Sequence, residues 1–299
     1  MIRSPQPAAV STSASDSSAV LSPGVRKFAS RTLVWVLLCL GAIVMAVPFL
    51  WLATSSLKDQ SKIWLFPPQW LPDPIRWDNY TKALTSMPFH LFLRNTLTVV
   101  FFDELGVILT ASMSAYGFAR LRFKGRDLVF MMLLSTMMLP WAVTMIPRYI
   151  LFKWFGMLDT LFPLIIPSWF GGGMFNIFLL RQFFRTIPTE LSDAARIDGC
   201  GEFGIFWRLT MPLAKPALTT VAIFTFLNSW NDFMGPLIYL TSPQNRTLSL
   251  GLASFRDLYT TQWHYLMAAS TAVTIPVIII FFAAQRYFVQ GIVLTGLKG

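Results

Sequence analysis

The sequence predicts an all-α membrane protein with six transmembrane helices and both termini in the cytoplasm. Three observations predict it. Of 299 residues, 55% are apolar and only 13% charged, with a mean hydropathy of +0.57, a composition from which a water-soluble surface is not built. Charge-free runs stand at 32–57 (26 residues), 128–147 (20), 160–180 (21) and 265–285 (21), each long enough as a helix to cross a hydrocarbon core of roughly 30 Å. Two further runs are interrupted: 105–119 extends upstream only through Asp103 and Glu104, and 216–231 extends downstream only through Asp232. Finally, basic residues near span ends stay in the cytoplasm, and an N-terminus-inside arrangement puts 15 of the 24 Lys and Arg inside and nine outside. The net charge of +10 is then a topology signal and an attraction to lipid surface, not a nucleic-acid footprint.

Residues 1–31 begin with a Ser-, Ala- and Pro-rich stretch that cannot bury a core, and they read as a disordered cytoplasmic tail. The first span's apolar run greatly exceeds that of a signal peptide, and no small-residue cleavage site follows, so it is expected to remain uncleaved. Cys39 lies in this span and Cys200 in an inner loop, and both are expected as free thiols. In the outer segment 58–90, Trp64, Trp70, Trp77 and Tyr80 are suited to an interfacial belt. His90 and His264 read as solvated loop residues with no metal-ligand spacing around them.

In the second span Asp103, Gly106, Thr110, Ser114 and Gly117 share a small, polar face, which turns Asp103 into the bundle and leaves Glu104 about 100° away. The next inner loop, "RLRFKGRD" (120–127), holds four basic residues in eight and carries most of the topology argument. In the fourth span "FGGGMFN" (170–176) permits either a broken helix beside a cavity or close helix packing.

The longest inner loop, 185–215, is dense in charge for this chain. Thr189 after Pro188 is expected as an N-cap, with Glu190 and Asp193 in the first turn where negative charge suits the helix dipole. Gly199 should end the helix, and Ala195 with Gly199 would form a small-residue face open to close approach. A second short helix, "EFGIFWRLTM", is expected to bury Phe203, Phe206 and Trp207 and to stop before Pro212, with Pro216 opening the fifth span.

Polar residues within a span are costly and mark function. Asn228, Asn231, Asp232 and Gly235 fall on one helical face by three- and four-residue spacing, with Trp230 nearby as a stacking surface and Phe226 turned to lipid. Amides and a carboxylate suit a hydroxyl-rich solute. The plainer account is that Asn231 and Asp232 cap the helix or tie it to a neighbour.

Asp193, Ala194, Ala195, Asp198 and Gly199, followed by an aromatic turn and then Met211, Pro212 and Pro216, resemble the cytoplasmic "EAA" loop of permease subunits in ATP-binding-cassette importers. "NTLTVV", "SAYGFARLRFKGRD", "MMLPWAVTMIPRYILF", "FNIFLLRQFFRTIP", "FTFLNSWNDFMGPLIYL" and "GIVLTGLKG" extend the likeness, over 33–299, to carbohydrate-uptake permeases of the maltose-transporter type, second-subunit branch. One departure is that the loop's leading Glu is Asp193, one methylene shorter.

The resemblance implies a type I importer permease fold over 32–299 in the cytoplasmic (inner) membrane. It implies a second permease subunit as heterodimer partner, two ATPase subunits, an extracytoplasmic substrate-binding protein, and a coupling loop at 185–215. The binding protein would meet the outer segments 58–90 and 241–264. The C-terminal Gly296, Leu297, Lys298 and Gly299 would reach the ATPases. The chain has no GxxxxGK[ST] phosphate loop, so it is expected to bind no cofactor itself and to leave ATP and Mg to its partner. A secondary transporter of a polar solute is the alternative function. An enzyme using Asp103, Glu104 and Asp232 lacks an accompanying nucleophile, His pair or metal spacing.

Overall fold

The computed structural model describes residues 23–256 and 261–296, with side chains omitted at 23–30, 284 and 286–296. Two compact units divide the chain, Met1–Trp51 and Leu52–Gly299. The first is helical from Pro23 onward, as part of α1 (Pro23–Ser55). Its expected tail, as far as residue 22, lies outside the described residues.

The second unit is helical as well. After α2 (Gln60–Ile63) and α3 (Asp78–Thr85) come α4 (Phe89–Arg120), α5 (Arg126–Ser135), α6 (Trp141–Trp154), α7 (Phe162–Ile165) and α8 (Met174–Thr186). The inner loop of the sequence contains α9 (Thr189–Ile197), α10 (Glu202–Ile205) and α11 (Met211–Leu213). Last come α12 (Lys215–Asn231), α13 (Met234–Tyr239), α14 (Leu248–Ala253) and α15 (Trp263–Gly296).

Among the described residues, four segments are long and apolar enough to cross a membrane: Arg31–Ser55, Phe89–Arg120, Phe162–Thr186 and Trp263–Ala283. Two bent pairs raise the number to six if each is one span. The run 128–147 is therefore not the continuous helix its hydropathy suggests. α5 tightens into a 3-10 turn, Leu139 turns extended at φ −75° and ψ 120°, and the chain bends by 98° into α6. Pro140 explains the break, because a residue before proline is driven out of the α region and proline donates no helix hydrogen bond.

The fourth span breaks too, at Gly171, Gly172 and Gly173, all with positive φ. A broken helix and close packing occur together there. A Cβ on Gly172 would stand 2.9 Å from the Ala111 Cβ and 2.9 Å from the Val107 Cα, so α4 approaches as only glycine allows.

α4 is the central element, packing against α8, α12, α7 and α14. One core surrounds its C-terminal part, where Ala111, Ala115 and Tyr116 meet Leu180, Phe184, Ile205, Phe206 and Val221. A second surrounds its N-terminal part, where Phe89, Phe92 and Val100 meet Phe226, Trp230, Leu248 and Ala268. Phe226 is thus packed in a core, a correction to its expected lipid exposure: α15 covers the face that helical spacing alone leaves open.

Candidate functional site

Two places gather the residues singled out by sequence. At the first, α9 begins at Thr189 with Pro188 in the N-cap position, so Thr189 is the first helical residue and makes no side-chain cap. Proline's fixed φ opens the helix without one. The far end closes as expected at Gly199, whose φ is +79°. Its amide donates to the Arg196 carbonyl at 3.0 Å and the Cys200 amide donates to the Ala195 carbonyl at 2.8 Å, the paired bonds of a Schellman ending.

α9 leaves Asp193, Ala194, Asp198 and Gly199 exposed and Ala195 half-buried, with Ile197 87% exposed at its end. Its base is held by charge. Arg196 donates to Asp193 Oδ1 at 2.6 Å and to Glu202 Oε1 at 2.8 Å, and the Tyr116 hydroxyl donates to Glu202 Oε2 at 2.7 Å. Arg120 donates to the carbonyls of Phe184 at 2.7 Å and Ile187 at 2.5 Å. Arg181 donates to the Phe118 carbonyl at 3.2 Å while lying 4.0 Å over the Phe130 ring. The loop is thereby tied to the ends of both α4 and α8.

The second short helix departs from expectation. Phe206 is buried, but Phe203 is 69% exposed and Trp207 is 38% exposed. The helix also does not stop before Pro212. Residues Phe206–Thr210 form a π turn and α11 carries Pro212 near its start; the wider turn rearranges the carbonyls that a proline ring meets in a regular helix. A bend of 78° then leads into α12.

The second place is a cavity of about 350 Å³ beside α4 and α12, lined by Val99, Asp103, Trp141, Leu164, Asn228, Ser229 and Asp232. Asp103 is 8% exposed, and its Oδ2 accepts a hydrogen bond from the Ser229 hydroxyl at 2.7 Å. Asp232 ends α12 and accepts from the Gly235 amide at 3.1 Å, so it both caps α13 and lines the cavity.

Asn228 opens into the same space. Asn231 is exposed, its Nδ2 donating to the Leu227 carbonyl at 2.8 Å, and does not line the cavity. Trp230 points the other way: it is 4% exposed and stacked on Phe226 at 5.3 Å between ring centroids. Gly235 falls beyond the end of α12, in α13, and so leaves the shared helical face. Ser229 and Trp141 escaped the sequence reading, because Ser229 is one of many span hydroxyls and Trp141 reaches the cavity only through the bend at Pro140.

The remaining candidates are quickly placed. Glu104 is half-buried with Oε2 unpartnered, and the His264 Nδ1 is likewise buried and unpartnered, which corrects its reading as solvated. Cys39 and Cys200 are free thiols. Among the described residues no group of three or more His, Cys, Asp or Glu could hold a metal ion. Gly296 is the last residue of α15, and Leu297, Lys298 and Gly299 lie outside the described residues. Trp64, Trp70 and Trp77 stand exposed in the segment before α4, and Tyr80 is half-buried.

The segment between α6 and α7 is bound to the turn after α13. Asp159, at φ 58°, accepts from the Ser242 hydroxyl, the Ser242 amide at 2.8 Å and the Thr241 amide at 2.9 Å, and its carbonyl accepts from the Asn245 side chain at 2.6 Å. The Ser242 hydroxyl and these amides hold its carboxyl well below the usual carboxylate range.

Comparison with known proteins agrees with this architecture. The chain is 34% identical over 281 residues to a probable ABC transporter permease of Bacillus subtilis, covering 93% of this chain and 92% of that one. It is 38% identical over 230 residues to the arabinooligosaccharides transport system permease of the same organism, covering 76% and 81%. Among solved structures, a chain from a bacterial ABC transporter involved in import of the acidic polysaccharide alginate superposes with a TM-score of 0.77 at 25% identity, over 89% of this chain and 98% of that one. Residues 106–294 match the model of a family described as the binding-protein-dependent transport system inner membrane component, and with the full-length likeness to the first relative this makes the chain a member of that family.

Proposed function

We propose that this chain is one permease of a heterodimeric pair in an ATP-driven importer of the maltose-transporter type, moving a sugar or sugar-like solute across the cytoplasmic membrane. In this reading α5 and α6 together make one span and α12 makes another, giving six spans with both termini inside. Loop 185–215 docks on a separate ATPase, which holds ATP and Mg, and an extracytoplasmic protein delivers the solute. Relatives named for arabinooligosaccharide and diacetylchitobiose transport support a carbohydrate as the cargo.

The observation that carries the reading is α9. A short helix presents Ala194, Ile197, Asp198 and Gly199 to solvent while its base is pinned by the Arg196–Glu202–Tyr116 chain. An exposed apolar tip on a braced support is what a docking helix needs, since it buries surface on a partner and passes on displacement without melting. Phe203 and Trp207, exposed and in edge contact with each other in the same loop, add further apolar surface. The C-terminal segment 296–299 is assigned as a second ATPase contact.

The test is copurification. A tagged chain should bring down the ATPase subunit with it, and Ile197→Arg should lose that subunit while still reaching the membrane with the second permease. Undiminished capture of the ATPase by Ile197→Arg refutes the docking assignment. Solute uptake by membranes that lack the ATPase altogether would instead favour a secondary transporter.

A further inference from the structure

The cavity between α4 and α12 is distinguished by its charge. Two of its lining side chains are carboxylates, Asp103 and Asp232, and no basic side chain lines it. Neither carboxylate takes part in an ion pair among the described residues. The remaining polar lining is an amide, Asn228, and a hydroxyl, Ser229, while Trp141 and Leu164 supply apolar surface.

Asp103 is the unusual member. It is 92% buried, and its Oδ2 accepts a hydrogen bond from the Ser229 hydroxyl at 2.7 Å. A carboxylate lining a cavity away from bulk water is a strong hydrogen-bond acceptor, worth more than an exposed one because water competes less for it. A solute hydroxyl or ammonium entering the cavity can donate to the lining carboxylates. A solute carboxylate or phosphate cannot, and adds like-charge repulsion in a site where charge is poorly screened.

We propose that Asp103 is a specificity-determining residue, and that with Asp232 it makes this cavity accept uncharged or amino-bearing polyhydroxylated solutes and reject carboxylate- and phosphate-bearing ones. Asn228 supplies a donor and an acceptor for ring hydroxyls, and the Trp141 indole offers a flat apolar surface to the C–H face of a sugar ring. The volume of about 350 Å³ fits one or two sugar rings. The inference rests on the reading of this cavity as part of the solute route.

The test reads charge directly and needs no known substrate. In the assembled transporter carrying Cys39→Ser and Cys200→Ser, Asn228→Cys is treated with three methanethiosulfonates: neutral methyl, cationic trimethylammonium-ethyl and anionic sulfonatoethyl. The cationic reagent should outpace the anionic one by about tenfold more than it does on a free thiol, the factor a nearby unit charge exerts through partly screened surroundings. Asp103→Asn should bring the ratio several-fold back toward the free-thiol value, whereas Ser229→Ala, which keeps both carboxylates, should leave it in place. A ratio equal to that of a free thiol, or one unmoved by Asp103→Asn, overturns the proposal while leaving the solute route intact. If even the neutral reagent fails to reach position 228, the route assignment falls and the specificity claim with it.

Discussion

Gly199 allows the proposed coupling role of α9 to be tested without disturbing the rest of the fold. Its φ is +79°, and a Cβ added there would meet no atom within 4 Å. The cost of Gly199→Ala is therefore conformational alone, about 1–2 kcal/mol for an L-residue in the left-handed region. That cost acts on the two bonds that end α9, from the Gly199 and Cys200 amides. If docking requires the closed end, a penalty of this size weakens association with the ATPase by roughly 5- to 30-fold.

Gly199→Asn should be much milder, because asparagine visits the left-handed region readily. Gly199→Trp adds an indole to the exposed tip, so the transporter should still insert in the membrane but hydrolyse ATP without transport. The assay is paired: ATP hydrolysis and solute uptake in vesicles holding the full complex. Uptake by Gly199→Trp at the unmodified rate refutes the docking argument, and Asn proving as damaging as Trp refutes the conformational one.

Three further outcomes follow from particular contacts. Gly172→Ala forces a Cβ to 2.9 Å from both the Ala111 Cβ and the Val107 Cα at a φ of +63°; overpacking and backbone strain together should cost about 2–4 kcal/mol and lower the melting temperature of the purified complex. Tyr116→Phe removes the 2.7 Å hydrogen bond to Glu202 but keeps the ring against Phe206, so a double-mutant cycle with Glu202→Ala should return a coupling of about 1–2 kcal/mol. Because its folded-state pKa is depressed, Asp159 contributes stability that is fully present above the ordinary carboxylate range and is lost as pH falls through the depressed value. Hydrogen exchange at Thr241 and Ser242 should thus stay slow on mild acidification, and Asp159→Ala should accelerate it even at neutral pH.

What could be read from the sequence depended on whether the physics was local. Hydropathy located the apolar segments because membrane insertion is itself a sum over residues. It missed the bend after Leu139, since an average over a window gives Pro140 no directional weight; the proline was the available signal. Gly199 was legible because a helix end is a one-turn event. Phe203 and Trp207 were misplaced because apolar periodicity identifies a face to be covered without saying what covers it. The meeting of Asp103 with Ser229 spans 126 residues, and no local pattern announces it. Trp230 and Asn228 are two residues apart on one helix, yet one is buried in a core and the other lines a cavity. Only the neighbours α15 and α4 decide which is which.

The unbroken course of α4 makes it a lever. Tyr116 grips the loop through Glu202 at one end, and Asp103 stands thirteen residues earlier on the same rigid rod, about 20 Å away at ~1.5 Å per residue. A tilt of roughly 10° about the Tyr116 end would carry Asp103 some 3.5 Å by that arm length, more than the 2.7 Å that separates it from Ser229. In the proposed importer, a modest rotation imposed at the loop would thus be enough to exchange one partner of a buried carboxylate for another, making the grip on a solute and the hold of the neighbouring helix alternatives governed by a single angle.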